Sequence, residues 1–215
     1  MRVWPNYSLE RELYGRGVAI VAGVDEVGVG ALAGPVVAAA VILTPEAKID
    51  GLADSKLLTP KRRQVLFTLI REVAVAIAIG RVEVEEVDRL NVYWAAMEAR
   101  RRAVEALPII PEHVLVDGKR RIVGCRLAQT PVVDGDAYSA SIAASSIVAK
   151  VTRDSLMMEY GRLYPEYGFE HHKGYATAAH IAALGRLGPL ALHRRSYTPV
   201  WSAPGLKHQL EFWGQ

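Results

Sequence analysis

The chain has 215 residues, 51% hydrophobic and 23% charged, with a net charge of +3 and a single cysteine, Cys125. This predicts one domain with a buried core and at most a small appendage, and it excludes an internal disulfide framework. The lone cysteine predicts a reducing, cytoplasmic setting. Glu10, Arg11 and Glu12 interrupt any secretory leader, and the apolar run Val27–Leu43 carries Gly28, Gly30, Gly34 and Pro35, so it reads as loop and strand rather than a membrane span.

In chain order, residues 18–26 and 36–43 predict two paired strands joined by a glycine loop. Thr59-Pro60 starts a helix over 60–71, with threonine as cap and proline in the first turn. Residues 73–79 alternate large and small apolar residues and predict a strand covered on both faces. Val87, Leu90, Trp94, Met97 and Val104 have helical spacing over 85–106, ended by Pro108 and Pro111. A short strand over 113–117 ends in Asp117-Gly118, and a further strand is expected around 122–127. A long helix over 137–160, rich in small residues early on, and a helix over 174–187 precede a tail punctuated by proline and glycine. Strands and helices are mixed rather than strictly alternating, which predicts an α/β fold with a mixed sheet.

The most informative feature is Asp25-Glu26 at the end of a hydrophobic strand, followed by Gly28-Val29-Gly30. Adjacent carboxylates repel unless a cation lies between them, and oxygen-only ligands favour a hard ion, Mg2+ or Mn2+. The glycines let another backbone or a sugar-phosphate chain approach. Acids recur at element ends at Asp117 and at Gly135-Asp136; each alone also reads as a turn or a helix cap. Taken jointly, the four carboxylates suit two divalent ions about 3.5–4 Å apart, the arrangement that supports phosphodiester hydrolysis. A rival reading uses Gly28-x-Gly30-x-x-Ala33, with Asp50 about 20 residues on, as a dinucleotide fingerprint. Gly34-Pro35 followed by a strand argues against it, because the fingerprint requires a helix after the loop.

Basic clusters at Lys61-Arg62-Arg63, Arg100-Arg101-Arg102, Lys119-Arg120-Arg121 and Arg194-Arg195 read singly as solvated faces and together as compatible with a polyanionic partner. His171, His172, His180 and His193 lack cysteine partners or zinc-ligand spacing, and His172 and Lys173 read as part of a substrate loop. Arg153 reads as half of a structural salt bridge.

The stretches Ala22-Gly23-Val24-Asp25-Glu26-Val27-Gly28, Leu32 to Leu43, Asp54-Ser55-Lys56, Val116-Asp117-Gly118, Gly135-Asp136, Ser141 to Asp154, Tyr167-Gly168-Phe169, His172-Lys173-Gly174-Tyr175 and His193 to Val200 together resemble the ribonuclease HII family, the bacterial type 2 ribonucleases H. The resemblance implies a ribonuclease H-like fold, a mixed β-sheet flanked by helices with a small helical C-terminal region. It divides the chain into an extension over 1–17, a catalytic domain over 18–200 and a tail over 201–215. It implies a metal-dependent endonuclease that cuts the RNA strand of RNA–DNA hybrids and nicks DNA at embedded ribonucleotides, leaving a 5′-phosphate and a 3′-hydroxyl; a cytoplasmic monomer is the expectation, with the sequence itself leaving the oligomeric state open. Asp25, Glu26, Asp117 and Asp136 take the positions of the metal ligands. Gly28, Val29 and Gly30 take those of the loop that holds the ribose 2′-hydroxyl through its backbone, and Tyr175 that of a tyrosine packed on the neighbouring deoxyribose. Lys56, Lys173, Arg194 and Ser196 are candidate phosphate contacts.

Two departures stand out. Val29 replaces the family's usual arginine, and Asp134 replaces a lysine before Gly135-Asp136. They leave a second reading open, a hybrid-binding module with weakened catalysis, beside the less favoured dinucleotide-dependent oxidoreductase.

Overall fold

A computed structural model describes residues 4–203. The chain forms two compact units, each discontinuous in sequence. Of the described residues, the first gathers those up to 27 with 37–81 and 96–152; the second gathers 28–36, 82–95 and those from 153 onward. The boundary drawn from the sequence at residue 17 lies inside the first unit, and all but the first three residues of the expected tail lie outside the described residues.

In the first unit, β1 (Val21–Val27) pairs antiparallel with β2 (Val36–Ile42) and parallel with β4 (His113–Asp117), which in turn pairs parallel with β5 (Ala128–Val132). With β3 (Ala76–Val82) the sheet has five strands, in the order β3-β2-β1-β4-β5. Every residue of β2 is buried, as the unbroken apolar run requires. The strand expected near 122–127 lies further on, as β5. Pro131 fits there because β5 is a sheet edge, where a missing N–H costs no ladder bond. Residues 122–125 instead form a turn held by Gln129, whose side chain bonds the backbone N–H and carbonyl of Ile122 and the carbonyl of Cys125.

The helices follow their local signals, with two interruptions. Thr59 caps α2 (Pro60–Val73), accepting from Arg62 N at 3.2 Å. The single helix expected over 85–106 is two, α3 (Val84–Leu90) and α4 (Val92–Glu105). Asn91 separates them in the left-handed region (φ 62°), and its side chain accepts from Tyr93 N and Trp94 N to start α4. The long helix also divides, into α5 (Gly135–Tyr138) and α6 (Ala140–Leu163). Ser139 at the break accepts from Ile142 N at 3.1 Å.

Small residues bring α6 against β1. A Cβ on Gly23 would run into the backbone of Ser141, and Ser145 Oγ donates to the Gly23 carbonyl at 2.7 Å. Ala140, Ala143, Ala144, Ile147 and Val148 then pack with Ala39, Val41, Leu66 and Ile70 in the main core. The N-terminal segment, for which the sequence suggested no element, forms α1 (Ser8–Gly15). Its buried Glu10 accepts from Ser139 Oγ, Ser141 Oγ and Ser141 N at 2.6–3.0 Å, which places a carboxylate at the N-terminus of α6.

The second unit contains α3, the end of α6, α7 (Phe169–His172), α8 (Ala178–Leu187) and α9 (Thr198–Trp201) around the glycine loop. The loop is tied by backbone bonds from Leu32 N to Gly174 O (2.8 Å), Gly34 N to Leu192 O (2.9 Å) and Arg194 N to Leu32 O (2.8 Å). Among the described residues no helix is long and apolar enough to cross a membrane.

Candidate active site

The strand register brings the acids of the first unit together. Val24 of β1 lies opposite Val116 of β4, so Asp25 and Asp117 are the next residues on adjacent parallel strands. Asp117 Oδ1 accepts from Gly135 N at 2.8 Å, which anchors the turn carrying Asp136. Asp134 takes a left-handed conformation (φ 52°) as α5 begins. Asp25 is buried, and its carboxyl is held well above the usual carboxylate range, first by burial and then by the charges of Glu26 and Asp117. Asp136 is pushed up to about 6 by burial and then by Asp54 and Asp117. All four expected acids are thus linked by these charge interactions in a poorly solvated place, Asp25 to Glu26 and Asp117 and Asp117 to Asp136, the condition a cation relieves.

The side chains also reach for cations of their own. Glu26 is bound by Arg100, whose Nε and Nη2 both go to Glu26 Oε2. Lys56 Nζ lies 3.8 Å from both Asp136 and Asp54. Burial would lower the Lys56 ammonium, yet Asp54 and Asp136 together hold it above its ordinary value. Lys56 sits in a short 3-10 turn, Ser55–Leu57, capped by Asp54 and pinned to α6 by the Ser55 and Ser146 hydroxyls at 2.9 Å. With the acids so engaged, no three Asp, Glu, His or Cys side chains among the described residues stand grouped as a metal site. The four-carboxylate cluster expected from sequence is present as neighbouring elements rather than as a closed coordination shell. The donor set still suits a hard divalent ion, since every group is a carboxylate and two are destabilised by mutual charge.

Sequence reasoning missed Arg100 and Asp54. In the sequence Arg100 belongs to a basic cluster, but the cluster is spent internally: Arg101 pairs with Glu98 and Glu105, and Arg102 with Glu98. Those pairs have the three- and four-residue spacing of helix neighbours and were legible. Arg100 lies three residues after Met97 and four before Val104, on the apolar face, which was the signal that it points inward.

The remaining candidates lie in the second unit. Gly28 (φ 92°) needs to be glycine twice over, since a Cβ would also strike the Arg153 side chain; Gly30 faces open space. The Val29 carbonyl accepts from Arg194 Nη1 at 3.0 Å and Tyr197 Oη at 2.6 Å. Arg194, expected at a phosphate, is fully buried and also donates to Gly34 O, so its guanidinium shapes the loop. Arg153 is likewise buried and bonds the carbonyls of Ala33, Pro35 and Lys173 at 2.9–3.0 Å; its partners are carbonyls, not the expected acid. Ser196 Oγ is exposed and donates to Asp88 at 2.6 Å. The Lys173 ammonium donates to Glu170 O. Tyr175 is half-buried beneath the Arg153 guanidinium, 5.3 Å from ring centroid to Cζ. No helix follows the glycine loop directly: β2 does, which removes the footing of the dinucleotide reading.

The histidines beside this loop form a neutral chain. His193 Nδ1 accepts from Leu190 N, so its proton is on Nε2 and is donated to His180 Nε2 at 3.0 Å. His180 therefore carries its proton on Nδ1 and gives it to the Tyr175 carbonyl. Burial pushes His180 and His193 down to about 4. In the unfolded chain they take protons near 6.5, so the folded state loses stability as pH falls from about 6.5 towards 4, on the order of a few kcal/mol for the pair. Ring 15N spectra are expected to show both imidazoles neutral at pH 5.5; titration near 6.5 would contradict the buried chain.

The family model for ribonuclease HII matches residues 22–200. A ribonuclease HII of Geobacillus thermodenitrificans is 54% identical over 198 residues, 92% of this chain and 76% of that protein. One of Moorella thermoacetica is 54% identical over 196 residues, 91% of this chain and 95% of that protein. Among solved structures, the ribonuclease H2 of Pyrococcus horikoshii OT3 covers 92% of this chain and 100% of its own at TM-score 0.69 and 24% identity. Bst-RNase HIII in complex with Mn2+ covers 89% of this chain and 71% of its own at TM-score 0.70 and 22% identity. Those two structures share the fold.

Proposed function

As this chain belongs to the ribonuclease HII family and is an endoribonuclease of the ribonuclease H class, we propose that it uses divalent ions held by Asp25, Glu26, Asp117 and Asp136 to cut RNA–DNA hybrids and DNA carrying embedded ribonucleotides. The observation that carries this reading is the placement of Asp25 and Asp117 on adjacent parallel strands, with Asp136 anchored through the Asp117–Gly135 bond. Bound there, Mg2+ or Mn2+ supplies the positive charge that favours in-line attack of water on a phosphodiester. Two ions are the arrangement we favour.

The residues of this chain then have separate tasks. Asp25 and Asp117 present their carboxylates from rigid strand ends, and Asp136 presents its own from the first turn of α5. Lys56, 77% exposed, is free to move from the acids to a phosphate. The Gly28–Gly30 backbone is the reader of the 2′-hydroxyl, the one group that marks ribose. Arg194 and Tyr197 fix that backbone from beneath through the Val29 carbonyl, so the valine side chain is not needed for its shape. Tyr175, braced by Arg153, offers a flat face to a neighbouring sugar. Lys173 and Ser196 are weaker candidates for phosphate contact, since both donate within the protein.

The test is incubation of a labelled hybrid with protein and Mg2+, Mn2+ or chelator, followed by end-group analysis. Metal-dependent cuts leaving 5′-phosphate and 3′-hydroxyl are expected; cutting undiminished by chelator would refute the assignment. Gly30→Ala probes the loop separately. Open space around that position predicts stability within about 1 kcal/mol of the parent. Because a methyl group would stand where the ribose approaches, hybrid cleavage is expected to fall at least about tenfold. Unchanged kcat/KM would remove the loop from substrate recognition.

A further inference from the structure

We infer that Arg100 is a built-in competitor of the divalent ion: by holding the Glu26 carboxylate it sets how tightly the acid cluster takes up metal. This deepens the metal-site reading above and rests on it. Arg100 belongs to the part of α4 in the first unit and reaches the end of β1 from a face that also carries Met97 and Val104. α4 lies close to the sheet because Gly80 of β3 leaves no Cβ between the strand and the backbone of Ala99 and Ala103. The pair is poorly solvated: the Arg100 side chain is 8% exposed and that of Glu26 is 16%. The described hydrogen bond of the guanidinium, from Nε, and its ion-pair contact, from Nη2, go to one oxygen, Glu26 Oε2.

A guanidinium at that depth is no spectator. A buried ion pair is held by the cost of leaving either partner alone, so Glu26 cannot turn to another cation without stranding Arg100. The four carboxylates bring four formal negative charges; Arg100 and Lys56 return two. Lys56 is exposed and 3.8 Å from its partner, so it yields its place readily. The described hydrogen bond and ion pair of Arg100 both go to Glu26 and its charge also acts on Asp25, so it remains beside the cluster when metal arrives. It thereby stabilises the metal-free acids and repels the incoming ion, at a cost in metal affinity.

The test is calorimetric titration of the full chain with MnCl2 alone, without nucleic acid, on the parent, Arg100→Met and Arg100→Gln. Methionine removes the charge and keeps the bulk; glutamine removes the charge and keeps a donor for Glu26, which preserves a folded variant if methionine does not. Either neutral variant is expected to bind Mn2+ about tenfold more tightly or better, and its thermal midpoint is expected to rise more on Mn2+ addition than that of the parent. Unchanged or weaker Mn2+ binding in a folded neutral variant overturns the inference while leaving the metal site standing. Absence of Mn2+ uptake by the parent takes both down together. Asp117→Asn, expected to lose Mn2+ binding, verifies that the heat comes from this site.

Discussion

Asp25→Asn is expected to leave a folded protein whose turnover of hybrid is lower by on the order of 10³-fold or more, with hybrid binding largely kept. Asn has the shape of Asp and can still accept the Glu26 N–H that Asp25 Oδ1 takes at 2.7 Å. It lacks the charge that would hold an ion. The same substitution relieves the metal-free fold: burial, Glu26 and Asp117 all disfavour a charged Asp25. The variant's thermal midpoint without metal is therefore expected to equal or exceed the parent's, the usual trade of stability for function at a charged site. Single-turnover cleavage, hybrid binding and thermal melting measured together check this. Turnover within tenfold of the parent would remove Asp25 from the metal assignment.

Arg153→Met is expected to cost about 3 kcal/mol or more of unfolding free energy, a large share of the 5–15 kcal/mol that holds a domain together. The guanidinium is fully buried and pushed down to about 10, first by burial, so it stays charged at neutral pH. Its hydrogens go to the carbonyls of Ala33, Pro35 and Lys173. Methionine fills the stem's space and leaves those carbonyls without their donor, each an unpaired polar group. The loss should concentrate in the glycine loop and the Lys173 segment, visible as faster amide exchange in residues 28–36 and 172–175. A chemical-denaturation midpoint matching the parent's would show that other donors satisfy these carbonyls.

The elements carrying the acids were legible because local chemistry and long-range packing agree there. β1 and β4 are apolar runs that stop at acid or glycine, β2 is an unbroken apolar run ahead of Thr44-Pro45, and Thr59-Pro60 is an unambiguous helix start. What sequence did not reveal depends on partners far along the chain. α1 is polar enough to read as an extension, and its role rests on Glu10 meeting Ser139 and Ser141, some 130 residues later. Asn91 and Ser139 break helices whose apolar spacing runs straight through, because one side chain both ends a helix and starts the next. Arg100, Arg153 and Arg194 look like surface cations in any composition count; each is buried because carbonyls or a carboxylate converge on it in three dimensions. His180 and His193 gave no metal spacing, and only the fold pairs them, ring to ring, under Tyr175. The site divides the same way: its charged ligand positions were readable, and the groups that hold them in place were not.

Metal-dependent recognition of a single 2′-hydroxyl is tested by one labelled DNA duplex with one ribonucleotide, incubated with Mg2+, with Mn2+ and with chelator beside an all-DNA duplex. A single nick on the 5′ side of the ribonucleotide, present with metal, lost with chelator and missing from the all-DNA duplex, is the predicted result. Folded protein that leaves the ribonucleotide duplex intact with both metals, or cuts both duplexes alike, would contradict it.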